Sequence, residues 1–385
     1  MVRFCHYKDG RIGESAVGRM TTRLKKRGGG RRRLDVDGMR LLAACFVLMY
    51  HFRLFPLNHE APSSMNLYVR SAISCCVPIF FFLTGILYSR RRISFQNSLN
   101  KAIRLFCLTL VWALILWPIR ALQGGLEVRL NMYVAGVLTL QQGIINYLWF
   151  LPALAIVYLL LPFFCIIANE DRRLLGRIAF ATCLFTFGLD AFQRVGEVFD
   201  WVFDTQILLK GVSFLNKFNP LRGVHGFSIA FCLVGMVWED IEEALSRKSA
   251  LVCLVMAPLL LAGYSAFRMQ ATHEAYDPTW HGYSCVSTLI VVACLFSIVS
   301  KLLSHINPDS VFAELINYIG GNSFGVYLLH HPLLGPTIGA AASIAGKLGM
   351  GMVAGPPLCV ISLTVLAFVS EVLARTKVGK WLLSV

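Results

Sequence analysis

The stretch that decides the fold is RRRLDVDGMRLLAACFVLMYHFRLF, residues 31–55. Three arginines and two aspartates lead into a run that stays apolar for most of a bilayer's thickness. Arg40 and His51 lie inside it. Ionisable side chains within a membrane face a bundle interior or a water-filled cavity, and by default they mark function. Taken singly, Arg40 can snorkel to lipid phosphates and His51 can mark a helix end. Their spacing argues against treating them singly. Eleven steps of about 100° end roughly 20° past three full turns, so the two side chains share a helix face about 16 Å apart along the axis. Asp37, three residues before Arg40, is placed to hold its guanidinium.

The rest of the chain sets this helix in context. Of 385 residues, 56% are hydrophobic and only 15% are charged, with a mean hydropathy of +0.64. Soluble domains carry about a quarter charged residues. The fold class is therefore an all-α membrane protein, a polytopic bundle. A span needs roughly 20 apolar residues. Ten stretches qualify, near 37–56, 71–89, 102–119, 147–168, 176–191, 223–239, 249–267, 284–303, 312–334 and 351–373. The apolar stretch 131–142 is too short and reads as re-entrant or interfacial.

A net charge of +15 would suggest nucleic acid in a soluble protein, but here it reports orientation. With the N-terminus inside, cytoplasmic segments hold 25 of the 36 Lys and Arg and external segments hold 10. Ten spans then leave both termini cytoplasmic. Residues 1–33 form a basic tail that reads as disordered, 34–376 the transmembrane domain, and 377–385 a short cytoplasmic C-terminus. The twelve cysteines lie mostly in apolar runs and form no CxxC pair. Neither a disulfide framework nor a metal site is expected. Two long external loops, near 192–222 and 268–283, carry Asp, Trp, Tyr and His. Such side chains suit either carbohydrate contact or an interfacial aromatic belt.

Three more stretches carry chemistry. VPIFFFLTGILYSRRR, residues 77–92, ends a span in three arginines. Guanidinium forks bind phosphates, and basic clusters also anchor cytoplasmic ends. Thr84 and Gly85 allow close helix packing or a local break. NSFGVYLLHHP, residues 322–332, puts Ser323, Tyr327 and His330 at i, i+4 and i+7 on one face. They can enter a cavity or sit at an interface before Pro332. NYLWFLPALAIVYLLLPF, residues 146–163, opens with Trp149 at the outer interface.

These four pieces in this order resemble the acyltransferase-3 family of integral-membrane acyltransferases. Arg40 and His51 match its first-span spacing. Phe81, Phe82, Thr84 and Gly85 followed by Arg90 and Arg92 match its second motif. Trp149, Phe150 and Leu151 match a third, and Ser323, Tyr327, Leu328 and His330 a fourth. The resemblance covers residues 33 to about 373. It departs at Thr84, where Ser is commoner, and at Glu371, which lacks a following Pro.

The resemblance implies O-acylation of carbohydrate in the cytoplasmic (inner) membrane. The donor would be cytoplasmic acyl-CoA, most often acetyl-CoA, a substrate rather than a bound cofactor. Its phosphates would meet Arg90, Arg92 and Arg40. The acceptor would be a hydroxyl on a lipid-linked or nascent glycan, with Trp149 on the substrate side. His51 would act as general base or carry the acyl group itself, and Tyr327 or His330 would stabilise the oxyanion. The rival from another class is a glycan or solute transporter. Transporters are built from repeated halves with matching broken helices, and this sequence contains no convincing internal repeat.

Overall fold

The computed structural model describes residues 32–52, 63–122, 147–334 and 351–383, with isolated positions at 134, 340, 343–344 and 347–349. The stretch 131–142, apart from Val134, lies outside the described residues, as does nearly all of 1–33. The chain divides into residues 1–33 and a compact unit of residues 34–385. No strand occurs among the described residues.

The helices are α1 (Leu34–Phe52), α2 (Ser64–Ala72), α3 (Pro78–Tyr88), α4 (Phe95–Leu122), α5 (Phe150–Glu170), α6 (Arg172–Cys183), α7 (Leu189–Val202), α8 (Ile207–Asn216) and α9 (Val224–Met236). They continue as α10 (Trp238–Ile241), α11 (Arg247–Thr272), α12 (Pro278–His281), α13 (Val286–Leu303), α14 (Val311–Gly321), α15 (Ser323–Leu329), α16 (Gly351–Leu373) and α17 (Lys377–Leu383). Seven helical stretches among the described residues are long and apolar enough to cross a membrane, and α9 with the segment after it makes an eighth, bent by 64°. The chain is a multi-pass, all-α membrane protein.

Two of the ten expected spans have a different character. Helix α1 spans 19 residues but carries Asp35, Asp37 and Arg40. The stretch 312–334 is broken, because Asn322 sits at φ −99°, ψ 6° and its side-chain amide donates to the Tyr318 carbonyl. That divides it into α14 and α15. The expected loop 192–222 is largely helical, in α7 and α8. Asp200 is buried between them and accepts from Thr205 and from the Leu208 and Leu209 amides, fixing the turn. Helix α11 likewise runs on to Thr272, which shortens the other expected loop. Trp201, Phe203 and Ile207 are exposed, as an interfacial belt requires. Helix α17 is docked: Arg104 and Trp112 donate to the Trp381 and Leu382 carbonyls.

Helices α3 and α9 form the tightest crossing, and small residues make it possible. A Cβ on Gly85 would collide with the Cys232 carbonyl oxygen, and one on Gly235 with the Phe82 carbonyl oxygen. Such mutual backbone approach is how transmembrane helices gain dispersion energy without a hydrophobic drive between them. Phe82 fills the space beside the crossing and meets Trp238 and Phe296 edge-on, with ring centroids 5.4 Å away in each case. Gly235→Ala is expected to lower the thermal midpoint of the detergent-purified protein by several degrees. Gly176→Ala, where a Cβ meets nothing within 4 Å, should be neutral or stabilising by up to about 1 kcal/mol. Equal midpoints for the two variants would contradict this packing account.

Candidate active site

The site begins with a proline. Pro332 has no N–H, so the carbonyl four residues earlier, that of Leu328, loses its helical donor. The helix widens to a π-turn over residues 330–334, a feature often found at functional sites. The Tyr147 hydroxyl takes up the released carbonyl, donating to Leu328 O at 3.0 Å. In return the Tyr327 hydroxyl donates to the Tyr147 carbonyl at 2.6 Å. This reciprocal clasp fixes the start of α5 against the end of α15.

The wide turn presents two adjacent histidines to the end of α1. The His51 ring centroid lies 5.2 Å from that of His330 and 4.8 Å from that of His331. Tyr147 stacks on His331 at 4.9 Å. The Nδ1 of His330 lies 2.5 Å from the Tyr327 carbonyl. A carbonyl only accepts, so Nδ1 carries the proton and Nε2 of the neutral ring holds the lone pair. One donor atom from each of the three histidines lies within 4.8 Å of the others. Three imidazoles so arranged can pass a proton between them, or can ligate a divalent ion.

A second set of contacts holds the end of α1. The Tyr50 hydroxyl donates to Asp277 Oδ2 at 2.7 Å. Asp277 Oδ1 pairs with Arg70 at 2.8 Å, and the Arg70 side chain is 2% exposed. The same carboxylate caps α12 through the Thr279 amide. The end of α1 that carries His51 is thus tied, through the residue before it, to an ion pair whose arginine is buried.

Arg40 lies three turns back along α1. Its Nη1 donates to Asp37 Oδ1 at 3.0 Å, the pairing their i, i+3 spacing implied, and Asp37 is buried. Arg40 lies within electrostatic reach of Tyr158. Lys101 joins this end, donating to the Tyr88 hydroxyl at 2.7 Å with its Nζ 4.9 Å from the Tyr158 ring centre. Further out, Arg90 pairs with Glu239 at 2.6 Å, and Arg172 with Asp240 at 2.8 Å. Arg92 is exposed beside them in sequence.

The sequence-predicted residues therefore fall into three groups. His51 and His330 meet, with Tyr327 locking the turn behind them. Arg40, Arg90 and Arg92 belong to the opposite end. Trp149 stands apart from both, edge-on to Trp280 at 5.3 Å and tilted on Tyr283 at 5.7 Å. Sequence reasoning passed over His331, Tyr147, Arg70, Asp277 and Lys101. A second His before Pro332 was the visible signal for the first of these.

The family model described as an acyltransferase domain matches residues 33–375, which takes in every residue of this candidate site. The chain belongs to the acyltransferase-3 family. The helices that carry its candidate histidines and arginines are those of the matched domain. An amino-acid racemase from Enterococcus faecalis is 26% identical over 160 residues, which is 40% of this chain and 22% of that protein. The chain thus covers under a quarter of that relative's length. No solved structure matches the chain.

Tyr147→Phe removes the donor to a buried carbonyl and should cost about 1–3 kcal/mol. The expected result is a lower thermal midpoint together with reduced acyl transfer at an unchanged donor KM. Wild-type transfer and stability in this variant would show that the clasp does not organise the histidines.

Proposed function

We propose that this acyltransferase moves an acyl group, acetyl in the first instance, from cytoplasmic acyl-CoA to a hydroxyl of an exported or cell-surface glycan. The convergence of His51, His330 and His331 at one end of a helix whose other end carries Arg40 supports this reading above all. A hydroxyl is a weak nucleophile and needs a base, and a neutral imidazole is suited to the task. His51 takes the hydroxyl proton while the oxygen attacks the thioester carbonyl. The carbon–sulfur bond then breaks, and the CoA thiolate leaves with the proton that His51 returns. The products are an ester and free CoA.

His330, with its lone pair at Nε2 and a ring nitrogen within 4.8 Å of one on His51, is placed to orient His51 by accepting its other ring N–H when the site closes on substrate. The Tyr327 hydroxyl and the His330 Nδ1 proton are both given to carbonyls. The oxyanion donor is therefore assigned to His331, with Tyr327 as a positioning residue. Donor phosphates meet the basic end, which carries Arg40, Arg90, Arg92 and Lys101. Arg90 reaches them by exchanging Glu239 for phosphate; its side chain is 77% exposed, so the pair with Glu239 is a weak tie.

The three converging imidazoles favour one second reading, a tri-histidine divalent-metal site. A ligating His that donates its other nitrogen to a backbone carbonyl, as His330 does, is usual in such sites. Metal analysis of purified protein separates the two. The base reading expects transfer to survive chelator washing, whereas one bound ion per chain whose removal abolishes transfer would favour the metal.

In membranes supplied with radiolabelled acetyl-CoA, His51→Gln should lower ester formation by about 10²–10⁴-fold, with protein levels unchanged. Undiminished labelling would remove His51 from the chemistry. Arg90→Gln with Arg92→Gln should raise the donor KM several-fold, most at low ionic strength. A donor KM that does not move would leave these arginines as membrane anchors.

A further inference from the structure

A cavity of about 410 Å³ opens between α7, α11, α12 and the start of α9, within the usual range of about 300–1,000 Å³ for small-molecule sites. It lies at the far end of α9 from the Arg90–Glu239 cluster: Gly223 and Val224 line it, while Met236 O accepts from Arg172 at the other end. Thirteen residues of helix separate the two ends, about 19 Å.

Two ion pairs build the polar wall. Arg194 bonds Asp190 at 2.7 Å and also donates to the Tyr276 hydroxyl at 2.8 Å. Arg268 pairs with Glu197 at 3.3 Å, and the Tyr264 hydroxyl donates to the same carboxylate. Trp280 and Tyr283 add an aromatic part to the lining, and Trp149 packs against both of them.

We propose that this cavity is the acceptor subsite and that it takes an uncharged sugar ring, an inference that rests on the transfer reaction proposed above. The aromatic lining offers faces to the C–H side of a pyranose, and the paired charges offer donors and acceptors to its hydroxyls. The charge pattern specifies neutrality. Each lining arginine already has a carboxylate, and Glu274 adds one more acid. A uronate or a CoA phosphate would find no unmatched cation here and would face an acidic excess. Burial pushes the Tyr276 phenol up to about 12, so it stays neutral and keeps its hydroxyl proton at working pH. The cavity is joined to the histidines at two places. Asp277, between Tyr276 and Trp280 in sequence, holds Tyr50 beside His51. Trp149, packed against the aromatic lining, is two residues from Tyr147, which stacks on His331.

The test is a fluorescence titration of purified protein, using the tryptophans of the cavity as reporters. The probes are methyl glucoside, methyl galactoside, methyl N-acetylglucosaminide and methyl glucuronide. At least one neutral glycoside should give a saturable change, with glucoside favoured over glucuronide by about tenfold or more. Trp280→Ala should abolish the change; this side chain is 39% exposed, so the variant should fold. Glu197→Gln unmatches Arg268 and should shift the preference toward glucuronide by about threefold or more. Overturning results are no saturable response to any neutral glycoside, glucuronide binding as tightly as glucoside, or a preference unmoved in Glu197→Gln. The reaction is read separately. A protein that binds glycosides in this way but moves no label from acetyl-CoA refutes the transfer chemistry and leaves the cavity assignment standing. Transfer that is intact in Trp280→Ala refutes the cavity assignment alone.

Discussion

The hydrogen bond that Pro332 cannot make governs the rest of the site. A proline inside a helix removes one donor and leaves one carbonyl unsatisfied, and in a bilayer no water is available to replace it. The Leu328 carbonyl must find a partner, and it finds Tyr147. That bond brings the start of α5 to the end of α15. The accompanying π-turn lets two consecutive residues, His330 and His331, face one neighbour. An unbroken α-helix would place them about 100° apart.

From this point the bundle reads as a track with different chemistry at its ends. One end is basic, with Arg40, Lys101, Arg90 and Arg172 set among tyrosines and carboxylates. The other holds the histidines, with the aromatic and ion-paired cavity beside them. Helix α1 connects the two, with Arg40 matched by Asp37, Tyr50 by Asp277 and His51 by the other imidazoles. The tight crossing of α3 on α9 supports this arrangement by holding the neighbouring helices rigid. A charged donor that meets the basic end and an acceptor hydroxyl that meets the histidines would never need to share one side of the membrane.

Much of this was legible in the sequence because it depends on helical period. The shared face of Arg40 and His51 follows from eleven residues, the Asp37 partner from three, and the close crossing at Gly85 from a small residue in an apolar run. Partnerships between distant segments were not legible. Nothing local says that the carbonyl released by Pro332 will be claimed by a tyrosine 181 positions away, or that Tyr50 will meet an aspartate 227 positions away. Asp277 is at the same time the helix cap before Pro278. The stretch 192–222 reads in the sequence as a long external loop between two apolar spans. Asp200 instead satisfies the amides at the turn between two helices.

The proposed transfer carries the acyl group from a donor on the basic side to an acceptor on the histidine side. Inside-out membrane vesicles from cells producing the protein, with the cytoplasmic face outward, separate the two sides. Radiolabelled acetyl-CoA is added outside, and alkali-labile label is then challenged with an impermeant esterase before and after detergent. The expected result is label that resists the esterase until detergent is added, with little labelling in right-side-out vesicles. Label that is cleaved without detergent, or equal labelling from either face, would contradict it.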